Sequence, residues 1–304
     1  MTVKNTLTQA GFAALCAISL STVVSSSALA VGSVTYPGEL VGVAWAPLPE
    51  GVYAVNTSSF SDNRNVGGGT ESSVYVDIPV IAWSTPWTFL GGRIEAYVAG
   101  PFLGAYTNGG LYTNDFYDPF VAVGESFDLG HGFYVANFVG SYIPINNALG
   151  IDYWTPNDRF AFGYTGDGWD LTSHTTFGFR MNAESTNAGG ILTPMVAGFH
   201  NGDYINEDLT ATKKFGKWEV GPVAYGSWDI GGCNSPVGGA CTQQGQFAVG
   251  GLVGYDFGGL YGQVYLTRDV WHHNYANYET NIFGRIIIPL WNPPAAPKPL
   301  VSKY

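Results

Sequence analysis

Arg93 and Glu95, then Asp170, His174 and Arg180, then Gln263, Thr267 and Asp269, then Glu279 and Arg285 stand at even spacings within largely apolar stretches. Even spacing places side chains on one face of a β-strand, because successive residues point to opposite sides. Acids, bases and amides on the inner face of a closed sheet can pair and fill it with a rigid polar network. They can also ring a constriction that turns back ions and large sugars. Pairing is the plainer expectation, since a narrow barrel has little free lumen. His174 invites a catalytic reading, as the base of a lipid-modifying barrel. However, the chain has no Gly-x-Ser-x-Gly serine, and His174 falls in the inward phase, so a non-enzyme is expected. His272 and His273, beside Trp271 and Tyr275, read as solvated loop residues. Cys233 and Cys241 sit in the Gly-rich stretch GGCNSPVGGACTQQ, without a CxxC spacing or further ligands, so they read as one short-loop disulfide if the chain is exported. Neither a metal nor a cofactor is expected.

The elements that must carry these residues are strands. Segments with period-two alternation fall near 50–58, 73–83, 89–102, 117–128, 132–143, 159–166, 169–182, 207–215, 217–229, 246–257, 259–270 and 277–290. Their connections alternate. STPWT, LGHG, TGDG, FGK and FGG are tight turns, whereas SFSDNRNVGGGTES, GAYTNGGLYTNDFYDP, PINNALGIDYWTPND, the stretch around 183–206, the cysteine loop and WHHNYAN are longer. Long loops at one end and short turns at the other predict an all-β, antiparallel up-and-down transmembrane barrel of about 12 strands. The count becomes 14 if 31–49 and 190–199 are strands. In 170–182 the polar face Asp170, Thr172, His174, Thr176, Arg180 and Asn182 lies opposite Leu171, Phe177, Phe179 and Met181. A closed sheet in lipid accommodates such a pattern without a second layer. Trp83, Trp87, Trp169, Trp218, Phe257, Tyr261 and Trp291 would form an aromatic girdle at the short-turn end, with Trp228, Trp271 and Tyr275 at the other.

Composition agrees. Of 304 residues only 12% are charged and 42 are Gly, and 12 basic against 23 acidic residues give a net charge of -11, which argues against a nucleic-acid partner. No apolar run after residue 30 is long enough for a spanning helix. Residues 1–30 read as a cleaved signal peptide, with Lys4, an apolar core at 11–20 and SSSALA before the cleavage point. Residues 31–49 read as a plug, a periplasmic arm or an additional strand, 50–291 as the barrel, and 292–304 as a Pro-rich tail. Asp62, Glu71, Asp115, Asp118, Asp152, Asp158, Glu184, Asp203, Glu207 and Asp208 would make the outer loops acidic, and Arg268 would face lipid near the outer end of its strand.

PEGVYAVNTSSF near residue 50, SVYVDIPVIAWSTPWTFLGGRIEAYVAGPF, HNGDYINEDLTATKKFGKWEVGPVAYGSWDI and GGLYGQVYLTRDVWHHNYANYETNIFGRIIIPLW together resemble the family named for the MetA-pathway of phenol degradation. The resemblance rests on the order of Pro-x-Gly-Val-Tyr, Trp-x-x-Leu-Gly-Gly, Gly-Asp-Tyr, Lys-Trp-x-Val-Gly and Arg-x-x-x-Pro-Leu-Trp, and it spans most of 50–291. It implies a loosely FadL-like barrel in a Gram-negative outer membrane that passes hydrophobic, often aromatic, compounds beside a degradation pathway. It names no catalytic residue. Expected partners are membrane lipid and lipopolysaccharide, the barrel-assembly machinery and a small apolar ligand. Tyr112, Phe116, Tyr117, Tyr153 and Trp154 are candidates to capture that ligand. A structural or surface barrel with a closed lumen is the alternative, and a lipid-modifying enzyme a further one.

Overall fold

Alternation runs through every long strand of the computed structural model, which describes residues 33–65, 72–107, 112–145, 153–179, 181, 203–230, 243–274 and 277–293. Arg180, Tyr275, Cys233, Cys241, the stretches 1–30 and 190–199 and the tail from 294 lie outside the described residues. The strands are β1 (Gly51–Asn65), β2 (Ser72–Phe89), β3 (Gly92–Ala99), β4 (Phe102–Thr107), β5 (Tyr112–Phe116), β6 (Phe120–Gly130) and β7 (Phe133–Tyr142). They continue as β8 (Thr155–Gly166), β9 (Trp169–Gly178), β10 (Tyr204–Phe215), β11 (Trp218–Asp229), β12 (Gly245–Asp256), β13 (Tyr261–His273) and β14 (Asn277–Trp291).

Twelve of them close an antiparallel barrel. β1 pairs with β2 on one side and with β14 on the other, from Asn65 opposite Asn277 to Val52 opposite Trp291. The two further strands come from 102–116 and not from 31–49: β4 pairs with the first part of β2, and β5 with β4, as a hairpin that extends the sheet beside the barrel. β3 meanwhile pairs directly with β6.

The tight turns explain the hairpins. Leu90–Gly91, His131–Gly132 and Asp167–Gly168 each have positive φ at both residues, the arrangement that matches the twist of two-residue hairpins. STPWT is not a turn. β2 runs through it, and the register breaks between Ser84 and Thr88, where Pro86 has no N–H to give. β8 and β10 start earlier than the alternation at 159 and 207 implied, at Thr155 and Tyr204, so Asp158, Glu207 and Asp208 are strand residues and not loop acids. β1 likewise reaches Asn65 and takes in Asp62.

The molecule is inside out relative to a water-soluble sandwich. Val123, Phe162, Val264, Leu266 and Ile286 are exposed on the outward phase, while Asp208, His174, Gln263 and Arg285 are buried on the inward one. Trp83, Trp87, Trp169, Trp218, Phe257 and Trp291 are exposed at the short-turn end, and Trp271 is exposed toward the other. Tyr261 departs from that girdle, because its hydroxyl donates to the buried Glu219 carboxylate.

Candidate functional site: the barrel interior

Residues 33–49 form no strand. They run inside the barrel as consecutive turns, with Glu39, Val41 and Val43 donating to the carbonyls of Tyr36, Gly38 and Leu40. A buried backbone outside a sheet must find partners elsewhere. Here the wall supplies them. The Asp208 carboxylate accepts from the Gly38 and Leu40 N–H groups at 2.8 and 3.0 Å, and Thr210 Oγ1 accepts from Gly42 N–H at 2.7 Å. In the other direction, Tyr265 donates to the Gly38 carbonyl, Gln263 to that of Gly42, His174 Nε2 to that of Val43 and Asn206 to that of Thr35.

Arg285 is the densest of these contacts. Its Nε donates to Thr57 Oγ1 at 2.9 Å, one terminal nitrogen to the Val41 carbonyl and Gln263, and the other to the Glu39 carbonyl and Tyr265. One guanidinium thereby ties β1, β13 and β14 to two carbonyls of the inner segment. Gly38 and Gly42 make the approach close enough. Both have positive φ, and a Cβ would stand 2.8 Å from the Tyr225 ring or 2.6 Å from Leu252 Cδ1.

The segment also carries a charge. Arg159 on β8 donates to Glu39 Oε1 at 2.8 Å, with both side chains nearly inaccessible. Burial pushes the Glu39 carboxyl above the usual carboxylate range, and Arg159 opposes that shift. Burial likewise raises the Tyr36 phenol, and the Glu279 charge adds to it.

Not every inward candidate meets this segment. Glu95 reaches its far end, accepting from Leu48 N–H at 3.0 Å and from Ser126. Arg93 donates to the Thr85 carbonyl near the tight turn. Asp170 accepts from Thr172 within the wall, Asp269 from the Glu279 backbone, and Thr267 donates to Tyr225. Among the described residues Arg159 and Glu39 form an ion pair, and the sequence reading singled out neither. Nor did it single out Asn157, Tyr204, Asn206 or Tyr265. The available signal was the alternation of Tyr204, Asn206, Asp208, Thr210 and Thr212 with Ile205, Leu209 and Ala211, obscured by treating the start of β10 as loop.

The remaining inner wall is different. β2, β3, β6 and β7 turn Val74, Val76, Ile78, Ala99, Ala122 and Ala136 inward, together with a chain of rings. Trp45 of the inner segment packs against Phe138 with tilted rings (4.7 Å between centroids) and meets His174 edge-on (4.5 Å). Tyr97 then links Phe138 to Phe120, and Phe120 packs on Tyr142. At the hairpin end Tyr112, Phe116 and Trp154 are exposed, Phe116 lies 3.8 Å from Phe102, and Tyr153 is half-buried. Tyr117 is turned inward, only 2% exposed, and packs against Tyr142, so it does not join the outer aromatic surface. Two cavities of about 700 and 770 Å³ open on the outward side of the wall, one against Phe162, Leu171 and Pro222, the other against Val264, Gly284 and Ile286.

The family model for the MetA-pathway of phenol degradation matches residues 55–282. Among solved structures, an outer membrane channel from Pseudomonas putida has the same fold at a TM-score of 0.69 and 13% identity, covering 81% of this chain and 98% of that one. The translocator domain of the autotransporter NalP from Neisseria meningitidis fits more loosely, with a TM-score of 0.46 and 11% identity over 79% of this chain and 89% of that one. No curated protein matches the chain.

Proposed function

Because the chain belongs to the family of the MetA-pathway of phenol degradation, we propose that it is an outer-membrane channel for passive uptake of small hydrophobic or aromatic compounds. The observation that carries this reading is the two-sided lumen. A polar wall holds the backbone of residues 33–46, and an apolar, ring-lined wall faces it. The outward apolar surface and its aromatic ends suit a bilayer, which only a closed sheet or helices can cross.

In this mechanism Tyr112, Phe116 and Trp154 collect solute at the outer hairpin and loops, and the solute moves along Val74, Val76, Phe120 and Phe138. The inner segment acts as a plug against water and sugars. No energy is coupled. The aromatic substrate and the link to degradation follow the family name. Residues 1–30 serve as the export signal, oxidation after export bridges Cys233 to Cys241, and the chain performs no chemistry on its solute.

The filled interior favours a second reading, a closed structural barrel. Both are tested by flux into proteoliposomes with a lipopolysaccharide outer leaflet, comparing toluene with a sugar against protein-free vesicles. The channel reading expects faster toluene influx and unchanged sugar influx. Faster sugar influx means a general porin, and no enhancement of either means the closed barrel.

A further inference from the structure

On the outward face of β1 and β2, between the exposed pair Phe60 and Tyr75 on the outer side and Ile81 on the short-turn side, stands a polar group of three, Asn56, Ser58 and Asp77. Asn56 Nδ2 donates to Asp77 Oδ1 at 2.8 Å and to Ser58 Oγ at 3.2 Å, and the Ser58 hydroxyl donates to the same carboxylate oxygen. An ionised carboxylate only accepts, so the Asn56 amide must turn its nitrogen toward Asp77. Its oxygen is thereby fixed as an acceptor, and among the described residues nothing donates to it.

Beside this amide the wall is hollow. Val264, Gly284, Ser58 and Asp77 are successive neighbours in one cross-strand row on β13, β14, β1 and β2. Gly284 leaves its place in the row empty, and a Cβ there would meet nothing within 4 Å. The cavity of about 770 Å³ opens at this gap, with Asn56 and Ser58 on one flank, Val264 and Ile286 about the gap, and Trp218 and Phe257 toward the short turns. An acceptor set in hydrocarbon is costly when nothing donates to it, and lipid tails carry no donor. What fits the hollow is an apolar body with one hydrogen-bond donor.

We propose that this hollow binds a small aromatic alcohol of the phenol class, with its hydroxyl donating to Asn56 Oδ1 and its ring over Gly284 against Val264 and Ile286. The aromatic nature of the guest rests on the channel reading, whereas the demand for a donor comes from Asn56. Asp77 and Ser58 are positioning residues that hold the amide. The site is reached from the bilayer and not from the lumen, because Gly284 lies on the outward phase between the inward Phe283 and Arg285. Toluene would fill the same space and leave the acceptor without a partner, so the hollow prefers the hydroxylated ring. Its volume is in the range of small-molecule sites.

The test uses full-length protein in lipid nanodiscs, titrated with para-bromophenol and with para-bromotoluene while tryptophan fluorescence is followed. Bromine quenches a nearby indole, Trp218 lines the hollow, and the difference between wild type and Trp218→Phe isolates its signal. Quenching by probe dissolved in the bilayer rises without saturating. The expected result is a saturable phase for bromophenol, roughly three- to tenfold tighter than any for bromotoluene. Asn56→Leu should abolish that preference. Gly284→Leu, whose side chain enters open space, should remove the saturable phase for both probes while the barrel stays folded. Absence of a saturable bromophenol phase in the wild type overturns the proposal. Equal saturation by the two probes overturns it too and leaves an apolar guest such as a lipid tail, as does a preference that survives in Asn56→Leu. Toluene flux into proteoliposomes reads the channel separately: flux without saturable bromophenol binding overturns the site alone, and binding without flux supports the site and overturns the channel.

Discussion

The two walls of the lumen are built by the same alternation and do opposite things. From β8 to β14 the inward positions carry Arg159, His174, Asn206, Asp208, Gln263 and Arg285, and these meet the backbone or side chains of residues 33–46. From β2 to β7 the inward positions are mainly aliphatic and aromatic, and the inner segment touches them through Trp45 and the Leu48 end. A segment without a sheet of its own needs hydrogen-bonding partners, whereas a hydrophobic solute needs none. Each wall suits one of these guests.

The largest effect separating the walls is expected from Asp208→Ala combined with Arg285→Met. Two buried N–H groups and two buried carbonyls of the segment lose their partners, at about 1–3 kcal/mol for each orphaned group. The segment should leave its seat, as reported by protease or thiol-reagent access to a cysteine introduced at Val41. The barrel, whose ladder bonds are untouched, should stay folded by circular dichroism.

Phe138→Gln or Phe120→Gln, on the other wall, should cut aromatic flux several-fold while that access stays low. Lumen substitutions tune selectivity more than they unfold a barrel. If Phe138→Gln instead frees the segment, the division between the walls fails.

Gly42→Ala is a milder strike on the polar side. It forces a Cβ against Leu252 in a left-handed backbone and should weaken docking by about 1–3 kcal/mol, read as partial access at position 41.

The smallest effect is that of pH through Glu39. Burial raises its carboxyl in the docked state, so that state binds the proton more tightly than the released one does. Docking should strengthen slightly as pH falls toward the ordinary carboxylate range, and lose that contribution as pH rises through the raised value. Segment access measured across pH 4 to 8 in the wild type and Glu39→Gln checks the sign, with a flatter profile expected in the variant.

Much of the barrel was legible because inward and outward positions differ so sharply in β9, β13 and β14. Asp170, His174, Gln263 and Arg285 were placed inward by spacing alone. What these residues touch was not legible, because spacing along a strand says nothing about a strandless segment more than a hundred residues away, as His174 and Val43 illustrate. The hairpin at 102–116 was missed for a different reason. Its Gly- and Asn-rich sequence carries turn signals throughout, and only pairing with the protruding end of β2 makes it sheet. The start of β10 was lost to its acids, since Asp208 looks like a loop residue until a partner inside the barrel is known.

The central claim is that the polar wall exists to hold residues 33–46 across the lumen. Sucrose flux into proteoliposomes of wild type and of Asp208→Ala/Arg285→Met measures it directly, with access at position 41 recorded on the same samples. The account predicts that the wild type excludes sucrose and the variant, with its segment released, admits it. A variant whose segment is demonstrably released and which still excludes sucrose would contradict it.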